Sequence, residues 1–287
     1  MTGDRAICIG IDDFGLHGDI NAAAMSLMSE GRVHAVSCMV GASAWAEGAR
    51  CLRRDSAGPI DVGLHLDLTA YPQTLPPSEW RRLWGQGVMG RLDIAALRGE
   101  IGAQLDAFER ELGRAPDFVD GHQHVHQFPQ VRHALIDLLM RRFPYRKPWV
   151  RSTRASGWGI KSLTINHLGG RAFISEADTL DLRHNRALLG VYDFTGGPQR
   201  YERLLCRWLK SAREGDLLMC HPSRGLIPGD EIAQARVDEY AVLSGSRFDW
   251  MVRSRGLHLR PMSRILDDDR WAQAMRRAAG APGTSVR

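Results

Sequence analysis

The segment Ala6-Ile7-Cys8-Ile9-Gly10-Ile11 is apolar at every position. A strand with one face in water alternates apolar and polar residues, whereas a strand without alternation must be covered on both faces. That requirement points to a parallel sheet with helices packed against it. The run stops at Asp12-Asp13-Phe14-Gly15, and a helical pattern follows over 21–31, with Asp19 or Asn21 as its cap and Gly31 as its end. Strand and helix keep alternating from there. Strands are expected at 34–40, 60–66, after Asp117, at 149–152, 190–194 and 217–220. Helices are expected at 43–54, 93–112, from Pro129 in its first turn to about 142, near 160–168, and at 198–213, 233–244 and 248–256. Residues 70–90 are rich in Pro, Trp and Gly and form a long excursion of the kind that usually carries function. Residues beyond about 273 are expected to fray. With no repeat and no linker to cut the chain, the expectation is one α/β domain over 1–287, core about 6–265. Its parallel sheet is either doubly wound or closed into a barrel.

Composition narrows the function classes. The chain has 287 residues, enough for a substantial core, and no apolar run approaches the length of a membrane span. The first apolar run is too short, and too soon followed by Asp12-Asp13, for a signal peptide, so a cytoplasmic location is expected. Cys8, Cys38, Cys51, Cys206 and Cys220 are scattered, odd in number and without CxxC spacing, which argues against a disulfide framework or a structural zinc knuckle. The net charge is +5, but Lys147, Lys161 and Lys210 are the only lysines among 38 basic residues. An arginine bias without aromatic interleaving is no nucleic-acid footprint. Arg141-Arg142 and Arg146-Lys147 close a helix, where cations suit the dipole. A homodimer is the base-rate expectation for assembly.

The chemistry gathers at strand ends. Asp12-Asp13, His65, the alternating His122, His124 and His126, and His221 each close a different expected strand. In a parallel sheet these ends share one rim. Each has an ordinary explanation alone, a helix cap for an aspartate or a satisfied core position for a histidine. Four coincidences are harder to accept. If the chain stays extended, period two places His122, His124 and His126 on one face. Imidazole is the commonest side-chain metal ligand, and one carboxylate with two imidazoles leaves coordination positions open, as in catalytic sites. Water activated at such an ion is a nucleophile near neutral pH. Of the adjacent aspartates, one would hold the ion and the other act as base, with His221 as acid. Cys220 faces away from His221 on its strand and belongs to the core.

Asp12-Asp13-Phe14-Gly15, Gly63-Leu64-His65-Leu66, Asp120-x-His122-x-His124-x-His126 and Cys220-His221-Pro222, in this order, resemble the motifs of the YdjC-like carbohydrate deacetylases. That group includes chitooligosaccharide deacetylases and a hopanoid-associated branch. Arg236-x-x-Glu239-x-x-x-Leu243 resembles the family's C-terminal segment, and the likeness spans roughly 6–245. It implies a distorted (β/α) barrel with its site at the carboxyl-end rim, and hydrolysis of an N-acetyl group on an amino sugar or sugar-lipid. It implies metal binding by Asp13, His65 and His122, with Asp12 as base and His221 as acid. The ion would be zinc or magnesium first, nickel or cobalt as alternatives. Phe14, Asp120 and Asp193 are expected around the substrate, with His124 and His126 either behind the metal ligands or on the substrate. Trp80, Trp84, Trp158 and Tyr192 are candidates for stacking on sugar rings. Ser223 stands where many relatives have Gly.

Competing readings are a metal-dependent phosphoesterase, a non-haem iron oxygenase, a two-carboxylate glycosidase using Asp12 and Asp120, and a non-enzymatic metal-binding protein.

Overall fold

The computed structural model describes residues 5–54, 59–154 and 169–269. Its strands are β1 (Arg5–Phe14), β2 (Ala35–Cys38), β3 (Asp61–Leu66), β4 (Phe118–Gly121), β5 (Trp149–Val150), β6 (Leu188–Leu189), β7 (Leu217–Cys220) and β8 (Leu257–Leu259). Every pairing is parallel, in the order β5-β4-β3-β2-β1-β7-β6, with β8 added beside the start of β1. The two ends of this sheet meet. Val150 bridges His184 in parallel, and Leu188 N–H donates to the Arg154 carbonyl at 2.8 Å. The sheet therefore curls into a barrel whose closing seam is irregular, the distorted (β/α) barrel expected above.

The helices are α1 (Gly18–Ser29), α2 (Trp45–Arg54), α3 (Trp80–Val88), α4 (Ile94–Leu112), α5 (Val131–Arg142), α6 (Arg171–Thr179), α7 (Gly197–Ser211), α8 (Ala233–Leu243) and α9 (Phe248–Arg253). A larger apolar core lies between them and the outer face of the sheet. The inner face follows period two. Ala6, Cys8, Phe118, Trp149, Leu188, Leu217 and Met219, with Met262 and Ile265 from the helical residues 262–269, plug the lower barrel. The next inward positions on the same strands are Asp12, Ser37, His65, Asp120 and Arg151, all buried. Apolar layers below and a polar layer at the carboxyl rim thus come from one alternation.

Gly63 is what lets the plug close. A Cβ there would stand 2.5 Å from three ring atoms of Phe118, which is itself stacked on Trp149 at 4.3 Å. Gly63→Ala is expected to cost about 1–3 kcal/mol through overpacking. It should also weaken metal binding, because His65 is two residues along the same strand; paired thermal melts and metal titrations check both.

Several local expectations are corrected. α1 is capped by His17, and Asn21 instead accepts the Gly15 N–H at 2.7 Å. α5 begins at Val131 after Gln130 at φ 65, so Pro129 stands outside it. The strand expected at 190–194 is Leu188–Leu189, and positive φ at Gly190 and Phe194 bends the chain after it. β8, too short to announce itself, was not foreseen. The excursion at 70–90 contains α3, and its first half is ordered by buried carboxylates. Asp67 accepts the N–H groups of Thr69, Ala70 and Tyr71, and Glu100 those of Gln73, Thr74 and Leu75. The helix expected near 160–168, Trp158 and the tail beyond 273 lie outside the described residues.

Candidate functional site

The site starts from a bulge in β1. Ile11 pairs with Val36 and Phe14 with Cys38, so β1 holds one more residue than β2 over this step. Asp13 takes a left-handed conformation there, φ 63, which aspartate tolerates better than most residues. The extra residue lets consecutive carboxylates face the barrel. Both are buried. Phe14, expected near the substrate, turns the other way into the core between sheet and helices.

Asp13 Oδ1 lies 3.0 Å from His122 Nδ1 and 3.4 Å from His65 Nε2. One donor atom from each of Asp13, His65 and His122 falls within 4.8 Å of the others. The other Asp13 oxygen accepts from Arg236 Nη2 at 2.7 Å. His65 and Asp120 are register partners on β3 and β4, and His65 Nδ1 meets Asp120 Oδ1 at 2.7 Å, with Ser37 Oγ at 2.9 Å. A carboxylate on one imidazole nitrogen orients the other toward a cation. Burial disfavours a charged His65, but Asp120 outweighs it and the pKa rises to about 10. The pocket thus favours a positive charge at His65 Nε2, whether a proton or a metal ion. Among the described residues, three buried carboxylates, Asp12, Asp13 and Asp120, face the guanidinium groups of Arg151 and Arg236, and a positive charge at His65 completes the balance. The donor set and its spacing fit a divalent ion.

Asp12 is clamped. Arg151 Nη1 donates to Oδ2 at 2.6 Å and Nη2 to Oδ1 at 2.5 Å, and Nη2 also lies 2.5 Å from Asp120 Oδ2. Burial opposes the ionised carboxylate, yet Arg151 overrides it and holds Asp12 well below the usual range. Because the same guanidinium spans Asp12 and Asp120, and Asp120 is fully buried, these two cannot flank a glycosidic bond. His221 Nε2 lies 3.7 Å from Asp12 Oδ2, and the Phe194 ring meets the imidazole edge-on at 5.2 Å. Burial pulls the His221 pKa down to about 4, partly offset by Asp12 and Asp13. Cys220 is buried with its thiol pushed up by desolvation, on the opposite face.

The three alternating histidines do not share a face. β4 stops at Gly121, and Gln123 and His124 adopt left-handed conformations, φ 51 and 59, so the chain turns where extension was assumed. His122 alone joins Asp13. His126 is fully buried, with Nε2 3.0 Å from the Arg151 carbonyl and its ring against Phe173. It supports the backbone of Arg151. His124 packs edge-on to His126, and burial keeps it neutral. Asp193 lies apart from the aspartate–histidine cluster, paired with Arg200 near the surface. Trp80 and Trp84 are helical and pack on the core, and Tyr192 is tied to Glu239.

The sequence model of the YdjC-like protein family matches residues 6–254. The chain belongs to the YdjC-like family. Among similar proteins is the chitooligosaccharide deacetylase of Escherichia fergusonii, 30% identical over 135 residues, 45% of this chain. In that match the chain spans about half, 53%, of the relative's length. The chitooligosaccharide deacetylase of Salmonella schwarzengrund is 27% identical over 271 residues, 88% of this chain and 96% of that one. Solved structures share the fold. A protein described as cleaving cellobiose-phosphate, from Enterococcus faecalis V583, has a TM-score of 0.65 at 18% identity, covering 92% of this chain and 100% of that one. The Bc1960 peptidoglycan N-acetylglucosamine deacetylase has a TM-score of 0.52 at 10% identity, covering 93% and 89%.

Proposed function

We propose that this YdjC-like protein is a metal-dependent hydrolase that removes an N-acetyl group from an amino sugar. The observation that carries the reading is the meeting of Asp13, His65 and His122 beside the Asp12–His221 pair at one barrel rim. The names of the curated relatives supply the substrate class. Asp13, His65 and His122 would hold one divalent ion, with Asp120 and Ser37 orienting His65 and Arg236 occupying the outer oxygen of Asp13. Such an ion would polarise the acetamide carbonyl and acidify a water.

The remaining steps belong to the chain. Asp12 takes the proton of the attacking water, and Arg151 aims the carboxylate and keeps it ionised. That clamp costs basicity, so the proton passes on. His221, neutral at rest and 3.7 Å away, receives it and delivers it to the departing amine nitrogen. Water adds to the carbonyl carbon, the carbon–nitrogen bond breaks, and acetate and the free amino sugar leave.

The test is acetate release from N-acetylglucosamine, di-N-acetylchitobiose and an N-acetylglucosaminyl lipid by protein loaded with zinc or cobalt. Release from at least one member is expected, and His221→Ala should slow it by about 10²-fold or more. No release from any member by metal-loaded protein would reject the reading.

A further inference from the structure

Helix α8 carries two buried charged side chains one turn apart, Arg236 and Glu239, and each reaches a different part of the site. Arg236 holds Asp13 at 2.7 Å and reaches Asp230 at 2.5 Å. Glu239 Oε2 accepts the backbone N–H of His221 at 2.6 Å, and Oε1 accepts the Tyr192 hydroxyl at 2.7 Å. The backbone joins the same arrangement, since Ser223 N–H donates to the Arg236 carbonyl at 3.0 Å. His221 stands just past the end of β7. Among the described residues its Nδ1 has no hydrogen-bond partner, so the imidazole is not held through its own second nitrogen. What fixes it is the Glu239 carboxylate on its backbone and Phe194 on its ring, and Phe194 follows Tyr192, the second donor to Glu239, by two residues. A carboxylate this deeply buried, with neutral donors on both oxygens, is expensive to desolvate and would be replaced by an apolar side chain in a merely packed position.

We infer that Glu239 is the positioning residue of the proton donor: by joining α8, the Tyr192 segment and the His221 backbone it sets where the imidazole stands relative to Asp12. Arg236 on the same helix face registers Asp13, so α8 acts as a rigid bar between metal ligand and acid. The inference rests on the proposed role of His221 as acid. Glutamine at 239 can accept from His221 N–H through its oxygen and donate to the Tyr192 oxygen through its amide, preserving both links without charge.

The experiment compares two substrates. Di-N-acetylchitobiose has an amine leaving group that must be protonated; 4-nitrophenyl acetate expels a stable phenolate that needs no acid. Glu239→Ala should lose about 10–100-fold in kcat on the sugar, the scale of a misplaced catalytic group. KM and metal Kd should not change, and ester hydrolysis should stay within about threefold of wild type. Glu239→Gln should recover most of the sugar activity. Tyr192→Phe, which leaves the fold less disturbed, should show the same selective loss at smaller amplitude. Equal loss on both substrates, no loss on either, or a glutamine variant as impaired as alanine would overturn the inference. His221→Ala is the control. If it is not selective for the sugar, the acid assignment fails and the inference with it; if it is selective and Glu239→Ala is not, only the inference fails. Where the wild type does not hydrolyse di-N-acetylchitobiose, the panel member that it does hydrolyse takes its place; a wild type inactive on every member counts against both.

Discussion

Asp12→Asn is expected to lower kcat by about two to four orders of magnitude while the protein still binds its ion. The substitution keeps volume and removes the one site layer carboxylate that faces both His221 and a donor clamp without a ligand role. Its amide oxygen can still accept one Arg151 hydrogen bond, but its NH2 group confronts the other Arg151 donor, where a second oxygen stood at 2.5 Å. The guanidinium must shift, so a modest loss of stability accompanies the loss of rate. The Asp13, His65 and His122 atoms are untouched, and metal stoichiometry should stay near wild type. Retained activity would show that the water's proton leaves by another route.

The largest expected effect on stability is Arg151→Met. Arg151 is buried between two buried carboxylates, with contacts of 2.5–2.6 Å to Asp12 and 2.5 Å to Asp120. Removing one partner of a buried ionic network leaves uncompensated charge and typically costs about 3–5 kcal/mol. A pH dependence follows. In the wild type the folded pKa of Asp12 lies below its unfolded value, so this pair contributes stability above that unfolded value and loses it as pH falls toward the folded one. In the variant, burial without Arg151 raises the folded pKa instead, and protonation relieves the strain. The stability gap should therefore be widest at neutral pH and narrow toward about pH 4, the ordinary carboxylate range. Urea melts at pH 7.5 and 4.5 measure it. A gap independent of pH would assign Arg151 a packing role rather than an ionic one. Arg151→Lys should not rescue, because a single ammonium cannot bridge two carboxylates in a fixed fork.

The barrel was legible because its evidence is periodic. Unalternating runs such as 6–11 and the helical spacing of 93–112 need no tertiary information. Convergence of strand ends followed from parallel pairing alone. The turn at His122–Gln127 was not legible, because alternating histidines look the same in an extended chain and in one folded back by two left-handed residues. Phe14 was misassigned because the β1 bulge changes which face follows Asp13. Arg151 was missed although a signal existed: an arginine two residues beyond Trp149, within an expected buried strand, demands buried counter-charges. Arg236 and Glu239 were visible only as a resemblance, since nothing local says that a helix from the far end of the chain reaches Asp13 and His221.

The proposed chemistry stands on Asp13, His65 and His122 holding one ion beside Asp12 and His221. To test this, the protein is stripped with chelator, confirmed metal-free by elemental analysis, and given back zinc or cobalt stepwise while acetate release is followed from an N-acetylated sugar that the loaded wild type hydrolyses. Stripped protein should release no acetate, recovery should saturate at about one ion per chain, and Asp13→Ala and His65→Ala should not recover. Undiminished release from protein shown to be metal-free, or full recovery in either variant, would contradict the proposed chemistry.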